Sequence, residues 1–434
     1  MAIITITLFI VACLYGIFRP GWMMALIILL APMEQLLQGS FPFLSGSSFG
    51  NQLINYSVGF SALISISLLI FSRSNIYVGL ISFNFVVITL IYIWSIISIT
   101  WSLDNTGGIA TMSSGLPYYF LKIIFGTILI TSIKDFSKAI WNILILGIGI
   151  CILIFLNPSF TTQWGRLGII DGGKIQSNSL ALGDLGAFMI IGAGLLRQHA
   201  FGFLGNIIRL AALVLGIYMA IQSGARGQLF LSFITVVIFS PISAKLENIK
   251  NFLILIISLT FLICLLYLFL STQLEGFAAS RFSIDSILYG SSSAIERVGN
   301  FNLLLNAYLS SPSKMLIGLG YYSFNSLGGG TIYSHILVAD FIFELGFPGI
   351  ILLILLLSAT FKRGLALFQF TANDPILRCS TSILLAIIFY LFLLSNKQGE
   401  LWGSMNLFML ISICSRLFIR NQLTDQEDTV ELDS

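Results

Sequence analysis

The sequence predicts an all-α, polytopic integral membrane protein of about twelve to thirteen transmembrane helices with one large extramembrane loop. Three observations carry that prediction. The chain is 57% hydrophobic and only 9% charged, against about 25% charged residues in a soluble globule, and its mean hydropathy is +0.98. Apolar runs of about 20 residues, the length a helix needs to cross the hydrocarbon layer, recur along most of the chain. One long segment, 272–331, is neither apolar enough for lipid nor short enough for a turn. The organisation that follows is a single membrane domain: 1–271 as transmembrane helices with short loops, 272–331 as the large loop, 332–420 as C-terminal transmembrane helices and 421–434 as an acidic tail.

Taken in order, the expected spans are 2–18, 21–37, 56–72, 77–100, 118–133, 139–156, 179–196, 207–222, 228–243, 251–271, 333–358, 379–395 and 403–420. Only Arg19-Pro20 separates the first two, so a count of twelve is equally consistent. The opening MAIITITLFI has no basic n-region and no small-residue cleavage site after it, and reads as a retained helix. The tail carries Asp425, Glu427, Asp428, Glu431 and Asp433 without Lys or Arg, a composition expected to be disordered. The cysteines, Cys13, Cys151, Cys264, Cys379 and Cys414, lie in or beside apolar runs without paired spacing. They are expected to be buried thiols, with neither a disulfide nor a metal site. No Walker loop or soluble nucleotide-binding unit is present, so no cofactor and no nucleic-acid partner are expected. Any energy for chemistry has to arrive stored in a substrate.

Sidedness follows from Lys and Arg, which are retained in short cytoplasmic loops. One alternate set of connections carries Arg19, Arg73, Lys134, Lys138, Arg197, Arg209, Lys245, Lys250, Lys362, Arg363, Arg378, Arg416 and Arg420. The opposite set, spread over much more sequence, holds only Arg166, Lys174, Arg226, Arg281, Arg297, Lys314 and Lys397. The tail is therefore expected inside and the 272–331 loop outside.

On that outer side lie the candidate functional residues. Arg226 sits in SGARGQLF, between Gly224 and Gly227. A guanidinium so close to the membrane either faces an anion in a polar cavity or snorkels to the headgroups. Arg297 opens AIERVGNFNLLLNAYLSSP, in which Phe301, Leu304, Leu305 and Tyr308 recur at helical spacing, as in an amphipathic helix lying along the surface. Two forked guanidinium groups are what bidentate diphosphate binding requires. His335 is the only outer-side histidine, His199 being the other in the chain. With an ordinary pKa of about 6.5 it suits a general base, or a structural hydrogen bond. Asp340 and Glu344 share a helix face, and arginines from other spans are the expected partners of these carboxylates. Pro348 removes a hydrogen bond to the Glu344 carbonyl, so a kink is expected there. The 157–178 loop adds Arg166, Asp171, Lys174, Gln176 and Asn178, suited to sugar hydroxyls or to helix capping. Arg281 and Lys314 read mainly as solvated loop charges.

The succession SGARGQ, an Arg-led helix in the outer loop, SPSKMLIGLG and then YSHILVADFIFELGFPG resembles the O-antigen polymerase and O-antigen ligase superfamily over roughly residues 160–360. The resemblance implies a metal-independent membrane glycosyltransferase of GT-C type in a bacterial inner membrane. Such an enzyme takes undecaprenyl-diphosphate-linked glycans on the periplasmic side, and a chain-length regulator protein is a possible partner. It puts diphosphate binding on Arg226 and Arg297 and acceptor activation on His335. Arg166, Asn178, Arg281, Tyr333, Asp340 and Glu344 would then be substrate contacts. Ile336 departs from the polar residue, commonly Asn, that the family often has after the histidine. A polymerase would join one lipid-linked repeat to another, and a ligase would transfer the glycan to lipid A core. A lipid-linked sugar flippase or transporter, or a non-catalytic assembly partner, is the alternative from a different class. The long outer loop and the lack of repeat halves speak against transport.

Overall fold

The computed structural model describes residues 1–44, 48–72, 76–163, 166–171, 174–175, 179–197, 202–244, scattered positions within 253–264, 292–327 and 334–433. Among the described residues, seven helices are long and apolar enough to cross a membrane: Gln52–Ser72, Phe83–Trp101, Ile133–Leu156, Gly202–Gln222, Arg226–Ala244, Gly346–Thr371 and Pro375–Gln398. Pro20–Ile28 and Leu30–Ser40 form a further candidate bent by 71° at its break, and Ala2–Phe18 and Ser179–Leu195 are shorter apolar helices. The protein is thus a helical, multi-pass membrane protein.

Most of the expected 251–271 span lies outside the described residues. Elsewhere the difference from thirteen spans has local causes. The 118–133 span is interrupted, because Pro117 withholds a hydrogen bond from the helix before it. A wider π-helical stretch follows over Tyr119–Gly126, and helix Ile133–Leu156 begins only after a break. The expected 333–358 span starts at Gly346 instead, where φ is +66°, a left-handed conformation that stops the preceding helix. The 157–178 loop contains a small antiparallel sheet, Phe160–Gln163 against Arg166–Asp171 against Lys174–Ile175. The acidic tail continues the Met405–Asp433 helix. No glycine or proline interrupts that sequence.

The chain divides into two compact units, each assembled from separated stretches. The first comprises Met1–Ile76, Leu129–Ser286 and Thr371–Tyr390. At its centre the Ser179–Leu195 helix is buried on almost every side. It meets Gly202–Gln222 through glycines: a Cβ on Gly186 would stand 2.5 Å from the Gly216 carbonyl oxygen, and one on Gly216 would stand 2.9 Å from that of Gly186. Lipid tails give helices no hydrophobic reason to associate, so close backbone approach and dispersion hold this pair. Gly147 of the Ile133–Leu156 helix likewise faces Met189.

The second unit comprises Tyr77–Ile128, Ile287–Phe370 and Leu391–Ser434. Its helices carry side-chain caps: Ser82 accepts from the Phe85 N–H and Asp104 from the Gly107 N–H. Tyr92 is a hub there, with Tyr119, Trp402 and Phe408 meeting it edge-on at centroid distances of 5.0, 4.9 and 5.8 Å.

Several basic residues counted as inner-loop charges are built into helix ends. In the first unit Arg209 donates to the Ala193 carbonyl and Arg378 to that of Ala372. In the second, fully buried Arg416 donates to the carbonyls of Val78, Thr127 and Ile128. Helix C-termini leave carbonyls without intrahelical partners and carry partial negative charge, so guanidinium groups suit them twice over.

Candidate functional site

In the first unit, Arg226 follows a tight helix–helix junction. Gly224 has φ +67°, its N–H donates to the Ile221 carbonyl at 2.9 Å and the Ala225 N–H donates to that of Ala220 at 3.2 Å. This paired pattern ends Gly202–Gln222 in a Schellman motif, and the left-handed residue explains the glycine. Arg226 is therefore the first residue of the next helix, Arg226–Ala244. It is half-buried, at an end whose first-turn N–H groups and dipole favour an anion. The Arg166 guanidinium, exposed on the second strand, acts electrostatically on Arg226. A further polar residue, not singled out by the sequence, lies two positions on from Arg226. Gln228 is fully buried and neither amide atom has a hydrogen-bond partner among the described residues. Gly183 makes this packing possible, since a Cβ there would stand 2.3 Å from Ala225 Cβ, 3.2 Å from Ser223 Oγ and 3.4 Å from Gln228 Cδ.

In the second unit, the segment from Ser334 to Gly346 is held by hydrogen bonds to its backbone. His335 is half-buried with φ +64°, and Tyr322 has φ +68°. A left-handed conformation costs a non-glycine residue about 1–2 kcal/mol and persists only where surrounding contacts enforce it. At His335 those contacts are a turn in which Ser334 Oγ accepts from the Ile336 N–H at 3.1 Å and donates to Asp340 Oδ1 at 2.7 Å. The other Asp340 oxygen accepts from the Leu401 N–H at 3.2 Å. Ile336 is the N-cap of the short Leu337–Ala339 helix but has no side-chain acceptor to offer. Asn396 supplies one from the end of Pro375–Gln398, accepting from the Val338 N–H at 3.0 Å.

Asp340–Glu344 is a π-helical turn, closed by the Leu345 N–H donating to the Asp340 carbonyl. Glu344 accepts from the Tyr322 and Phe324 N–H groups, each at 3.1 Å. The Glu344 carbonyl that Pro348 leaves without its helical donor accepts instead from the Gly320 N–H at 2.9 Å. Gly318 and Gly320, at φ +84° and +91°, bring this loop within contact of the Glu344 carbonyl and the Ser98–Ser102 backbone. The glycines of SPSKMLIGLG are thereby explained by geometry. Among the described residues, backbone N–H groups and Ser334 stand where arginine partners were expected for these carboxylates; an amide in a fixed loop satisfies a buried carboxylate at lower ordering cost than a long side chain.

Burial raises the pKa of Asp340 well above the usual carboxylate range, helped by nearby Glu344 and Glu400. Burial also pushes Glu344 up to about 7, against the opposing effect of its N–H donors, and Glu400 up to about 7. Glu344 and Glu400 are therefore protonatable near neutral pH. Buried Tyr321, whose hydroxyl has no partner among the described residues, faces the same three carboxyl groups.

Arg297 lies on the Ser292–Tyr308 helix and is half-buried. Leu304 of that helix packs with Leu319, Phe324, Ala339 and Phe343, and the Phe301 and Tyr308 rings stand 5.2 and 5.4 Å from that of Phe343. The helix therefore packs its apolar face on the Asp340–Glu344 turn, while Val298 and Leu309 remain exposed. Asn178, Arg281 and Tyr333 lie outside the described residues. Among the described residues no group of three or more His, Cys, Asp or Glu side chains is placed to hold a metal ion. The sequence signal for Gln228 was its place in SGARGQ. The signal for Ser334 was likewise its place in YSHILVADF, beside His335; Asn396 and Glu400 had none beyond being polar residues next to spans.

No family model matches the chain, and no curated protein matches it significantly.

Proposed function

We propose that the protein is a membrane glycosyltransferase of GT-C type, an O-antigen or related polysaccharide polymerase, acting on a lipid-diphosphate-linked glycan. The observation that carries this reading is Arg226 at a helix N-terminus, within the field of Arg166 and near the buried amide of Gln228, which has no hydrogen-bond partner among the described residues. A helix N-terminus with forked guanidinium groups suits a diphosphate. Lipid diphosphate is a leaving group that needs charge stabilisation more than it needs further chemistry.

In the proposed reaction the acceptor hydroxyl oxygen attacks the anomeric carbon. The bond from that carbon to the diphosphate oxygen breaks, and the lipid diphosphate departs with the electron pair. The hydroxyl proton passes to the His335 imidazole. A single displacement inverts the anomeric centre. Arg226 and Arg297 are assigned to the diphosphate and His335 to the acceptor. The activity and its periplasmic placement are both part of the proposal.

The test is incubation of purified protein with lipid-linked repeat units alone. A ladder of extended glycans supports a polymerase. Product only after lipid A core is added supports a ligase. Translocation of the lipid-linked sugar with no covalent product would replace the reading with a flippase. Charge-assisted hydrogen bonds contribute about 1.5–3 kcal/mol, so Arg226→Ala is expected to lose well over tenfold in activity. Arg226→Lys should recover only part, because a point charge does not fork.

A further inference from the structure

We propose that Ser334, Asp340 and Asn396 are positioning residues for His335: together they hold the backbone turn that fixes where the imidazole points. The inference rests on the reading of His335 as the group that receives the acceptor proton, and adds how the fold aims it.

Two sets of anchors, the bonded Ser334–Asp340 pair and Asn396, converge on the residues around His335. Ser334 Oγ spans it from below in sequence, accepting from the Ile336 N–H at 3.1 Å and so closing a turn with His335 at its apex. The hydroxyl is oriented by donation to Asp340 Oδ1 at 2.7 Å, and Asp340 is itself fixed from its other oxygen by the Leu401 N–H at 3.2 Å. The Ile336 carbonyl accepts from the Ala339 and Asp340 N–H groups at 3.0 and 3.2 Å, which ties the turn to the helix behind it. Asn396 Oδ1 then accepts from the Val338 N–H at 3.0 Å, and its amide donates to the Phe392 carbonyl at 2.8 Å, so the cap is itself held in one orientation.

This arrangement supplies, from the distant residue Asn396, the capping oxygen that Ile336 lacks. Left to local preference, a histidine at this position would leave the left-handed region, and its ring would move with it. Burial of Ser334 and Asp340 keeps water from competing for these bonds. A residue one ångström out of place can lose about a hundredfold in rate, so a base carried on this left-handed turn depends on what enforces the turn.

The test uses full-length protein and glycan extension or transfer from the lipid-diphosphate donor. Ser334→Ala is expected to lower kcat about tenfold or more, with KM for the donor within about twofold of the parent. Ser334→Thr, which keeps the hydroxyl, should restore kcat to within about threefold. Asn396→Leu should behave like Ser334→Ala, and Asn396→Asp, which keeps an acceptor, should rescue it. Because the anchors act through His335, Ser334→Ala introduced into His335→Ala protein should change the residual rate by less than about twofold. Unchanged kcat in Ser334→Ala, or losses that multiply with His335→Ala, would overturn the proposal.

A second readout needs no activity. With His199→Gln the protein keeps a single histidine, and its imidazole resonance should move on Ser334→Ala and return on Ser334→Thr. A resonance indifferent to Ser334 and Asn396 would show that they do not set the ring. If the resonance moves but His335→Ala keeps full turnover, it is the base assignment that fails and the positioning that stands.

Discussion

The Arg226 junction and the His335 turn place a charged or titratable group by different physics. At the junction, backbone packs on backbone: Gly186, Gly216 and Gly183 remove side chains so that helices approach within contact, and Arg226 inherits its position from a Schellman turn. Around His335, polar side chains hold irregular backbone: Glu344 accepts from two loop amides, Asp340 from a hydroxyl and an amide, and Asn396 from a helix end. Dispersion between packed helices is insensitive to pH and intolerant of added volume. Hydrogen bonds to buried carboxyl groups tolerate changes of volume better, and respond to any loss of an acceptor.

The sharpest way to break this comparison is Glu344→Ala. It leaves the Tyr322 and Phe324 N–H groups without acceptors, at about 1–3 kcal/mol each. Thermal unfolding and amide exchange should show the 319–324 loop loosened first, with Glu344→Gln intermediate. A loop as protected as the parent's would mean that glycine geometry, and not the carboxylate, holds it. Next in size is Gly186→Val, whose added atoms meet the Gly216 carbonyl and should cost about 1–3 kcal/mol by overpacking. The loss should appear in the first unit's helices and leave amide protection in the 319–324 loop unaltered.

Glu400 sharpens the comparison through pH. Its pKa is raised by burial to about 7 in the folded protein, against about 4.3 for an unperturbed glutamate. The folded state therefore keeps a proton that the unfolded state has lost over that interval. Its contribution to stability falls as pH rises through the window and levels off above it. Glu400→Gln should flatten the decline in thermal stability between about pH 5 and 7. An unchanged slope would assign the dependence to other groups. The smallest effect on stability belongs to Gln228→Met. Removing a buried amide with no hydrogen-bond partner among the described residues should change stability by less than about 1 kcal/mol, yet weaken binding of a diphosphate-bearing lipid. Unaltered binding would take Gln228 out of the proposed anion site.

The sequence by itself determined the membrane class, because composition and the length of apolar runs are properties of the residues and of the bilayer's thickness. It also located the glycine-rich SPSKMLIGLG stretch and the Arg226 junction, since glycines clustered beside an apolar run mark a turn or a close backbone approach. Periodicity could not say where spans break. Pro117 followed by π-helical turns, and Gly346 in a left-handed conformation, interrupt runs that hydropathy reads as continuous. Nor could it assign partners to Asp340 and Glu344. Charge complementarity points to arginines, but the loop amides of Tyr322 and Phe324, 20 to 22 residues away, reach Glu344 only after the chain has turned back on itself. The pairing of Asn396 with the Val338 N–H, 58 residues apart, was decided by tertiary structure alone. A capping oxygen is recognised from sequence when it stands at the helix start, and here the residue at that place is an isoleucine.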